Sequence, residues 1–258
     1  MIKIKKNEEI ELLRRCSLLV GETLAEVAKV IKPGIKTIDL DTLAEEFIRD
    51  NGALPGFKGY GGFPGTLCIS VNDAVVHGIP GNYVLKEGDI VSVDCGTIID
   101  GYYGDSAYTF GIGEISKEVS DLLVRTEESL NRGIEQAVAG NRVGDIGSAV
   151  QRYAEHFGYG VVRELVGHGI GKEMHEDPEI PNYGMPGMGV KLREGMTVCI
   201  EPMINLGTKS IVQESDGWTI RTADGKPSAH FEREIAIRNG KADVLTSYDG
   251  IKKVLENK

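Results

Sequence analysis

The sequence predicts an α+β protein built from two similar αβ halves that are related by a pseudo-two-fold axis. The chain has 258 residues, which is enough for one large domain with a substantial core. Helical patterns followed by short strand patterns occur twice along it, and short segments of the first half recur in the same order in the second. We therefore expect a single domain over 1–258, with halves at approximately 6–111 and 116–240.

The first half begins with two predicted helices. An amphipathic pattern predicts one over 8–31, with Asn7 as its N-cap, and a second over 38–50, with Thr37 as its N-cap. A glycine-rich loop with aromatic residues is expected at 53–65.

Strands follow, and they end in a hairpin. They are predicted at 66–71, 74–78, 90–95 and, as the hairpin, 96–111. Asp100-Gly101 is a strong signal for a two-residue turn. With that turn, Asp94 lies opposite residue 107, and Asp105 lies two positions from 107 on the same sheet face. The pair is either two solvated acids beside a turn or part of a cation site.

The second half repeats this order. Helices are predicted at 117–138 and 145–157, and strands at 161–166, 197–206, 210–213, 217–222 and 229–238. The segment "LKEGDIVSVD" aligns with "LREGMTVCIE", which places Asp94 on Glu201, and "VVHGI" resembles "VGHGI", which places His77 on His168. Equivalent places in the two halves are therefore expected to supply one site between them.

Composition narrows the class of protein. Hydrophobic residues make up 41% and charged residues 26% of the chain, as in soluble globular proteins. A net charge of −10 argues against specific nucleic-acid binding. No apolar run suits a membrane helix, and the charged start has no apolar signal-peptide core. The four cysteines form no CxxC pair, so they indicate free thiols and a cytoplasmic location.

Three further residues favour a cation site. His168 lies between glycines, Glu201 ends an apolar strand directly before a proline, and Glu232 begins another apolar strand. Converging the carboxylates of Asp94, Asp105, Glu201 and Glu232 without counter-charge is prohibitive at low dielectric. Two divalent metal ions would neutralise them, as in two-metal hydrolytic sites.

The motifs "DCGTIIDGYYGD", "GHGIG", "IEP", "FERE" and "CISVNDAVVHGIPG" resemble those of the type I methionine aminopeptidases, the M24 metallopeptidases with the pita-bread fold. The similarity covers nearly the whole chain. It implies one catalytic domain with helices packed on a curved antiparallel sheet. The implied function is removal of the initiator methionine from nascent proteins, with a small second residue preferred.

The resemblance also implies a metal arrangement. Asp94, Asp105 and Glu232 would hold one ion, and Asp105, His168, Glu201 and Glu232 the other. A hydroxide shared by the ions would attack the scissile carbonyl, with Glu201 as proton shuttle. Co, Mn, Fe(II) and Zn all suit these ligands.

Further roles follow from the same resemblance. His175 would stabilise the tetrahedral intermediate, and His77 would contact the scissile amide and the residue after it. The methionine pocket maps onto Tyr60, Phe63, Cys68 and Trp218, with weaker matches at Phe57 and Met174. Backbone carbonyls near Asn72 and Ala74, with Ser228, would bind Na or K. Ordinary packing is the alternative for all six pocket residues.

Two features depart from the family or remain open. Arg233-Glu234 stands where the family more often has His-Thr, and His230 is either structural or a support for the ligands. A monomer is expected, with possible transient association with the ribosome.

The alternatives are an Xaa-Pro peptidase of the same fold, which usually carries an added N-terminal domain, and a catalytically silent pita-bread binding module. A metal-dependent phosphatase is a remote third option, but no glycine loop followed by lysine is present to hold a phosphate.

Overall fold

Five α-helices and fifteen short strands make up the structure, a computed structural model that describes residues 1–258. The helices are α1 Asn7–Val30, α2 Thr37–Asp50, α3 Lys117–Gln136, α4 Val143–His156 and α5 Asp249–Glu256. The strands are β1 Leu54–Pro55, β2 Leu67–Val71, β3 Ala74–Val76, β4 Ile90–Ile99, β5 Tyr102–Gly111, β6 Gly160–Val161, β7 Gly167–Gly169, β8 Glu176–Ile180, β9 Thr197–Ile200, β10 Met203–Asn205, β11 Ile211–Gln213, β12 Ile220–Thr222, β13 Ser228–His230, β14 Arg233–Ala236 and β15 Asp243–Val244.

The predicted helices of both halves are confirmed to within two residues at each end. The N-caps predicted for α1 and α2 are wrong, because Asn7 and Thr37 are already helical and the caps are Lys6 and Lys36. A side chain in the first turn of α1 accepts the hydrogen bond at this end of the helix instead. The backbone N–H of Lys6 donates to Glu9 at 2.9 Å, a carboxylate of the first turn.

The hairpin is formed as predicted. Asp100 and Gly101 take φ values of 52° and 77°, the left-handed conformation that a type I′ turn needs at both positions. Asp94 pairs with Ala107, and Asp105 pairs with Gly96. The two aspartates therefore lie diagonally on one face of the β4–β5 ladder.

Two long predicted strands are broken in the structure. The strand predicted over 197–206 is divided into β9 and β10 around Glu201, and the strand predicted over 229–238 is divided into β13 and β14 around Glu232. Each break is a change of partner, because β9 pairs with β14 whereas β10 pairs with β13 and β6. The two glutamates thus stand where one sheet gives way to the next.

All pairings between named strands are antiparallel, and the strands form four hydrogen-bonded groups. The helices and antiparallel strands confirm the α+β class. Of the predicted strand 161–166, only Val161 lies in a strand, at the end of β6, and β7 begins directly after the predicted range. Sequence patterns missed β1, β8, β15 and α5, which are short or lie at the end of the chain.

One main hydrophobic core crosses both halves, and it includes Leu24, Val93, Leu130 and Ile200. Just before α5, the buried Tyr248 joins the halves, because its hydroxyl lies 2.6 Å from the carbonyl oxygens of both Ala107 and Glu232. None of the helices has the length and apolar character that crossing a membrane requires.

Candidate active site

A cavity of about 210 Å³ gathers the residues that the sequence singled out. Its walls include all five predicted metal ligands, the predicted catalytic histidines His77 and His175, and all six predicted pocket residues. The ligands are supplied by Asp94 on β4, Asp105 on β5, His168 on β7, Glu201 after β9 and Glu232 before β14. Both halves therefore contribute to one site.

His168 is oriented toward the carboxylates. Its Nδ1 lies 2.9 Å from the carbonyl oxygen of Gly169, so Nδ1 carries the proton and donates to that oxygen. Its Nε2 then offers a lone pair, and it lies 3.7 Å from Asp105 Oδ2 and 3.5 Å from Glu201 Oε1. This arrangement, with one ring nitrogen fixed by a carbonyl and the other free, is typical of histidine ligands.

The carboxylates repel one another in a dry environment. Burial raises the pKa of Asp94 to about 7. Burial, and then the charges of neighbouring acids, raise the pKa values of Asp105, Glu201 and Glu232 well above the ordinary range. Burial lowers the pKa of His168 to about 4, so it supplies no positive charge near neutral pH. A bound cation would supply the counter-charge that lets these acids ionise together.

Unpartnered oxygens agree with that reading. Asp94 Oδ1, Asp105 Oδ1 and Glu232 Oε1 are buried and accept no hydrogen bond. Buried carboxylate oxygens normally have a partner. Oxygen and imidazole donors of this kind suit divalent metal ions, so the residues present fit a metal centre.

Cys199 also belongs to this cluster, and sequence reasoning did not place it there. Ligand atoms of Asp105, His168, Cys199 and Glu232 all lie within 4.8 Å of one another. No local pattern singles it out, because Glu201, two residues later, lies outside the strand β9 that carries Cys199.

The other histidines occupy distinct places. The ring of His175 packs 4.3 Å from that of His168, and its Nδ1 is hydrogen-bonded to the Tyr60 hydroxyl at 2.8 Å. His77 lines the cavity from a left-handed backbone conformation with φ of 58°. His230 Nε2 lies 4.0 Å from Glu201 and 3.9 Å from Glu232, so this histidine faces the carboxylates from within the sheet.

The apolar end of the cavity is a small cluster of its own. Phe57, Phe63, Cys68 and Met174 are buried together there, and Trp218 packs edge-on against Phe63 at 5.1 Å. The weaker matches Phe57 and Met174 thus line the cavity with the others.

The residues expected at the monovalent-cation site lie partly together. The Ser228 N–H donates to the Asn72 carbonyl at 2.9 Å, and the Ser228 hydroxyl donates to Asn205 Oδ1 at 2.8 Å. Ala74 lies on β3, opposite Arg221.

Arg233 and Glu234 lie behind the ligands. Glu234 is fully buried, and its Oε2 accepts from the Ser17 hydroxyl at 2.7 Å and from the Asp105 N–H at 3.4 Å. The guanidinium of Arg233 stacks 4.0 Å above the ring of Tyr248. The dipeptide therefore supports the backbone at Asp105 directly and the backbone at Glu232 through Tyr248.

Comparison with known proteins identifies the family. The profile described as metallopeptidase family M24 matches residues 11–239. The chain belongs to metallopeptidase family M24. The chain is thus a peptidase-class hydrolase, and the resemblance to type I methionine aminopeptidases is confirmed. A protein named methionine aminopeptidase from Clostridium acetobutylicum is 55% identical over 95% of this chain and 99% of that protein.

Solved structures agree on the fold. The crystal structure of a methionine aminopeptidase from Thermotoga maritima superposes with a TM-score of 0.94 at 46% identity, over 96% of this chain and 100% of that one. This confirms the pita-bread fold. An Xaa-Pro dipeptidase from Bacillus anthracis superposes with a TM-score of 0.78 at 24% identity, over 95% of this chain and 62% of that one. The latter likeness shows the fold alone.

Proposed function

We propose that this M24 enzyme removes the N-terminal methionine from new polypeptides and prefers a small second residue. The observation that carries the proposal is the single cavity in which an apolar pocket adjoins the acid and histidine cluster. Phe57, Phe63 and Met174 offer apolar and polarizable contacts of the kind a methionine side chain favours. Relatives that bear the name methionine aminopeptidase match nearly the whole chain.

Two divalent metal ions are proposed as cofactors, with Co, Mn, Fe(II) and Zn as candidates. Asp94, Asp105 and Glu232 would hold one ion, and Asp105, His168, Glu201 and Glu232 the other. When bound, such ions would lower the pKa of a bound water and polarise a substrate carbonyl. The unpartnered oxygens of Asp94, Asp105 and Glu232 support this assignment.

Glu201 is proposed to move the proton. Its carboxylate lies at the break after β9 and reaches the cavity, where it would accept a proton from the attacking water and return it to the leaving amine. Asn182 donates to the Glu201 carbonyl at 3.0 Å and so holds its backbone in place. The Glu201 carboxylate can therefore serve as a metal ligand and as a base without a change in backbone conformation.

His175 and His77 are proposed to act on the substrate. The Tyr60 hydroxyl engages His175 Nδ1, which leaves Nε2 to donate to the carbonyl oxygen as charge develops on it. His77, on the cavity wall, would hydrogen-bond the scissile amide and the residue after it.

The remaining assignments are part of the same proposal. Asn72, Ala74 and Ser228 would bind Na or K near the cavity. The enzyme would act as a monomer in the cytoplasm on nascent chains, with transient ribosome association.

The test compares Met-Ala-Ser with Xaa-Pro peptides, using protein stripped by a chelator and then assayed with and without added Mn(II) or Co(II). Metal-dependent release of methionine from Met-Ala-Ser alone is expected. Met-Leu-Ser is the matched control for the second residue and should be cleaved poorly. Cleavage of Xaa-Pro peptides would instead support the alternative peptidase, and no metal-restored cleavage of any peptide would support a silent binding module.

A further inference from the structure

We propose that Cys199 gives the metal centre a sulfur ligand for thiophilic ions such as Cd(II). Such an ion would be held by Cys199, His168, Asp105 and Glu232, a set that differs from the carboxylate-rich set proposed for Mn(II). The inference rests on the metal centre of the proposed function and concerns which ions it admits.

The first observation is the geometry of the group. The Cys199 sulfur, one nitrogen of His168 and one oxygen each of Asp105 and Glu232 lie within 4.8 Å of one another. Neither Asp94 nor Glu201 belongs to this compact group. Four donors of mixed sulfur, nitrogen and oxygen type that lie this close together resemble the donor sets that bind thiophilic ions.

The second observation is independent of the cysteine. Asp105 Oδ1 and Glu232 Oε1 have no hydrogen-bond partner, and their residues are only 4% and 2% exposed. Asp105 and Glu232 are also the two carboxylate residues of the compact group that contains the thiol. They are therefore free to bind an ion that the sulfur also binds.

The other thiols are placed differently. Cys16 donates to the carbonyl oxygen of Tyr102 at 3.3 Å, and Cys95 packs in the main hydrophobic core. Cys68 lines the cavity but lies outside the compact group. Cys199 packs in the same apolar cluster as Cys68, but it is the thiol that belongs to the compact group, so Cys68 and Cys95 are matched controls.

The chemistry favours soft ions. Thiolate sulfur prefers Zn(II) and Cd(II), whereas carboxylate oxygen suits Mn(II). Coordination requires the thiolate, so the S–H bond of Cys199 breaks, a sulfur–metal bond forms, and the proton leaves to solvent. No electron is transferred. A soft ion should therefore be held by a different set of residues from the set that holds Mn(II).

The experiment titrates chelator-treated full-length protein with Cd(II) and records the ultraviolet sulfur-to-cadmium charge-transfer band. Wild type, Cys68→Ser and Cys95→Ser should all show the band at one equivalent. Cys199→Ser should lack it and should bind Cd(II) more than about 10-fold more weakly, since even partners that only orient ligands contribute that much affinity. Calorimetry should show that Cys199→Ser still binds Mn(II).

Three results would overturn the proposal: a full band in Cys199→Ser, loss of the band in Cys68→Ser, or no band in wild type that binds Mn(II). Wild type that binds neither ion would overturn the metal centre of the proposed function as well. X-ray absorption on the wild-type Cd(II) complex requires no variant. It should show one sulfur among the nearest neighbours of the ion, and the absence of sulfur would refute the assignment.

Discussion

Replacing Glu234 with glutamine should change how the free energy of unfolding depends on pH. Glu234 is fully buried, and burial raises its pKa to about 8, although hydrogen bonds from the Ser17 hydroxyl and the Asp105 N–H oppose that rise. Glutamine keeps a carbonyl oxygen that can accept the same two bonds, but it has no proton to lose. The substitution therefore removes the ionisation of Glu234 while keeping the hydrogen bonds that its side chain accepts.

The size of the effect follows from the pKa. The folded protein holds the proton of Glu234 up to about pH 8, whereas the unfolded chain releases it near the ordinary value of 4.5. Because the folded state binds more protons in this window, stability falls as pH rises. At about 1.4 kcal/mol per unit of pKa, wild type should lose about 5 kcal/mol relative to Glu234→Gln between these two values.

The assay is urea denaturation of metal-free protein at a series of pH values, followed by circular dichroism. The difference between variant and wild type should grow with pH up to about 8 and then become constant. Glu46→Gln, at an exposed position of α2, is the control and should follow wild type. Parallel curves for wild type and Glu234→Gln would refute the buried-acid argument.

Three further predictions concern the site. His175→Ala and His77→Ala should each lower kcat by about 100-fold or more while Mn(II) binding by calorimetry is kept, and full activity in both would refute their roles. Tyr60→Phe should lower kcat about 10-fold with little change in KM, because it removes the bond that orients His175, and an unchanged kcat would refute that orientation. Chelation should lower the Tm more at about pH 8 than at about pH 6, because the raised pKa of Asp94, about 7, makes the metal-free acids more charged at the higher pH; an equal loss at both would contradict this.

Local signals in the sequence specified much of the first half. The Asp100-Gly101 turn fixed the register of the hairpin, and the register fixed which face carries Asp94 and Asp105. Such features depend on a few neighbouring residues, so short-range rules describe them well. The motifs that carry the metal ligands are also short local segments, so they were enough to indicate the family.

Features decided by distant contacts were not predictable. An apolar run with a central proline reads as one strand, and only the change of partner at Glu201 shows that it is two. The sequence predicts Cys199 only as a free thiol, and the fold places it beside Glu232 and Asp105. The role of Tyr248 depends on Ala107, which is 141 residues away in the chain.

The division of the ligands between the two halves has a thermodynamic consequence. Asp94 and Asp105 come from the first half, and the remaining ligands come from the second. An ion that binds only when both are in place adds its binding free energy to the association of the halves. The concentration of free metal ion should then set how strongly the two halves are held together. Chelation should speed amide exchange first where β5 meets β13, at the His230 N–H that donates to the Thr109 hydroxyl at 3.0 Å, and later in the helices of either half.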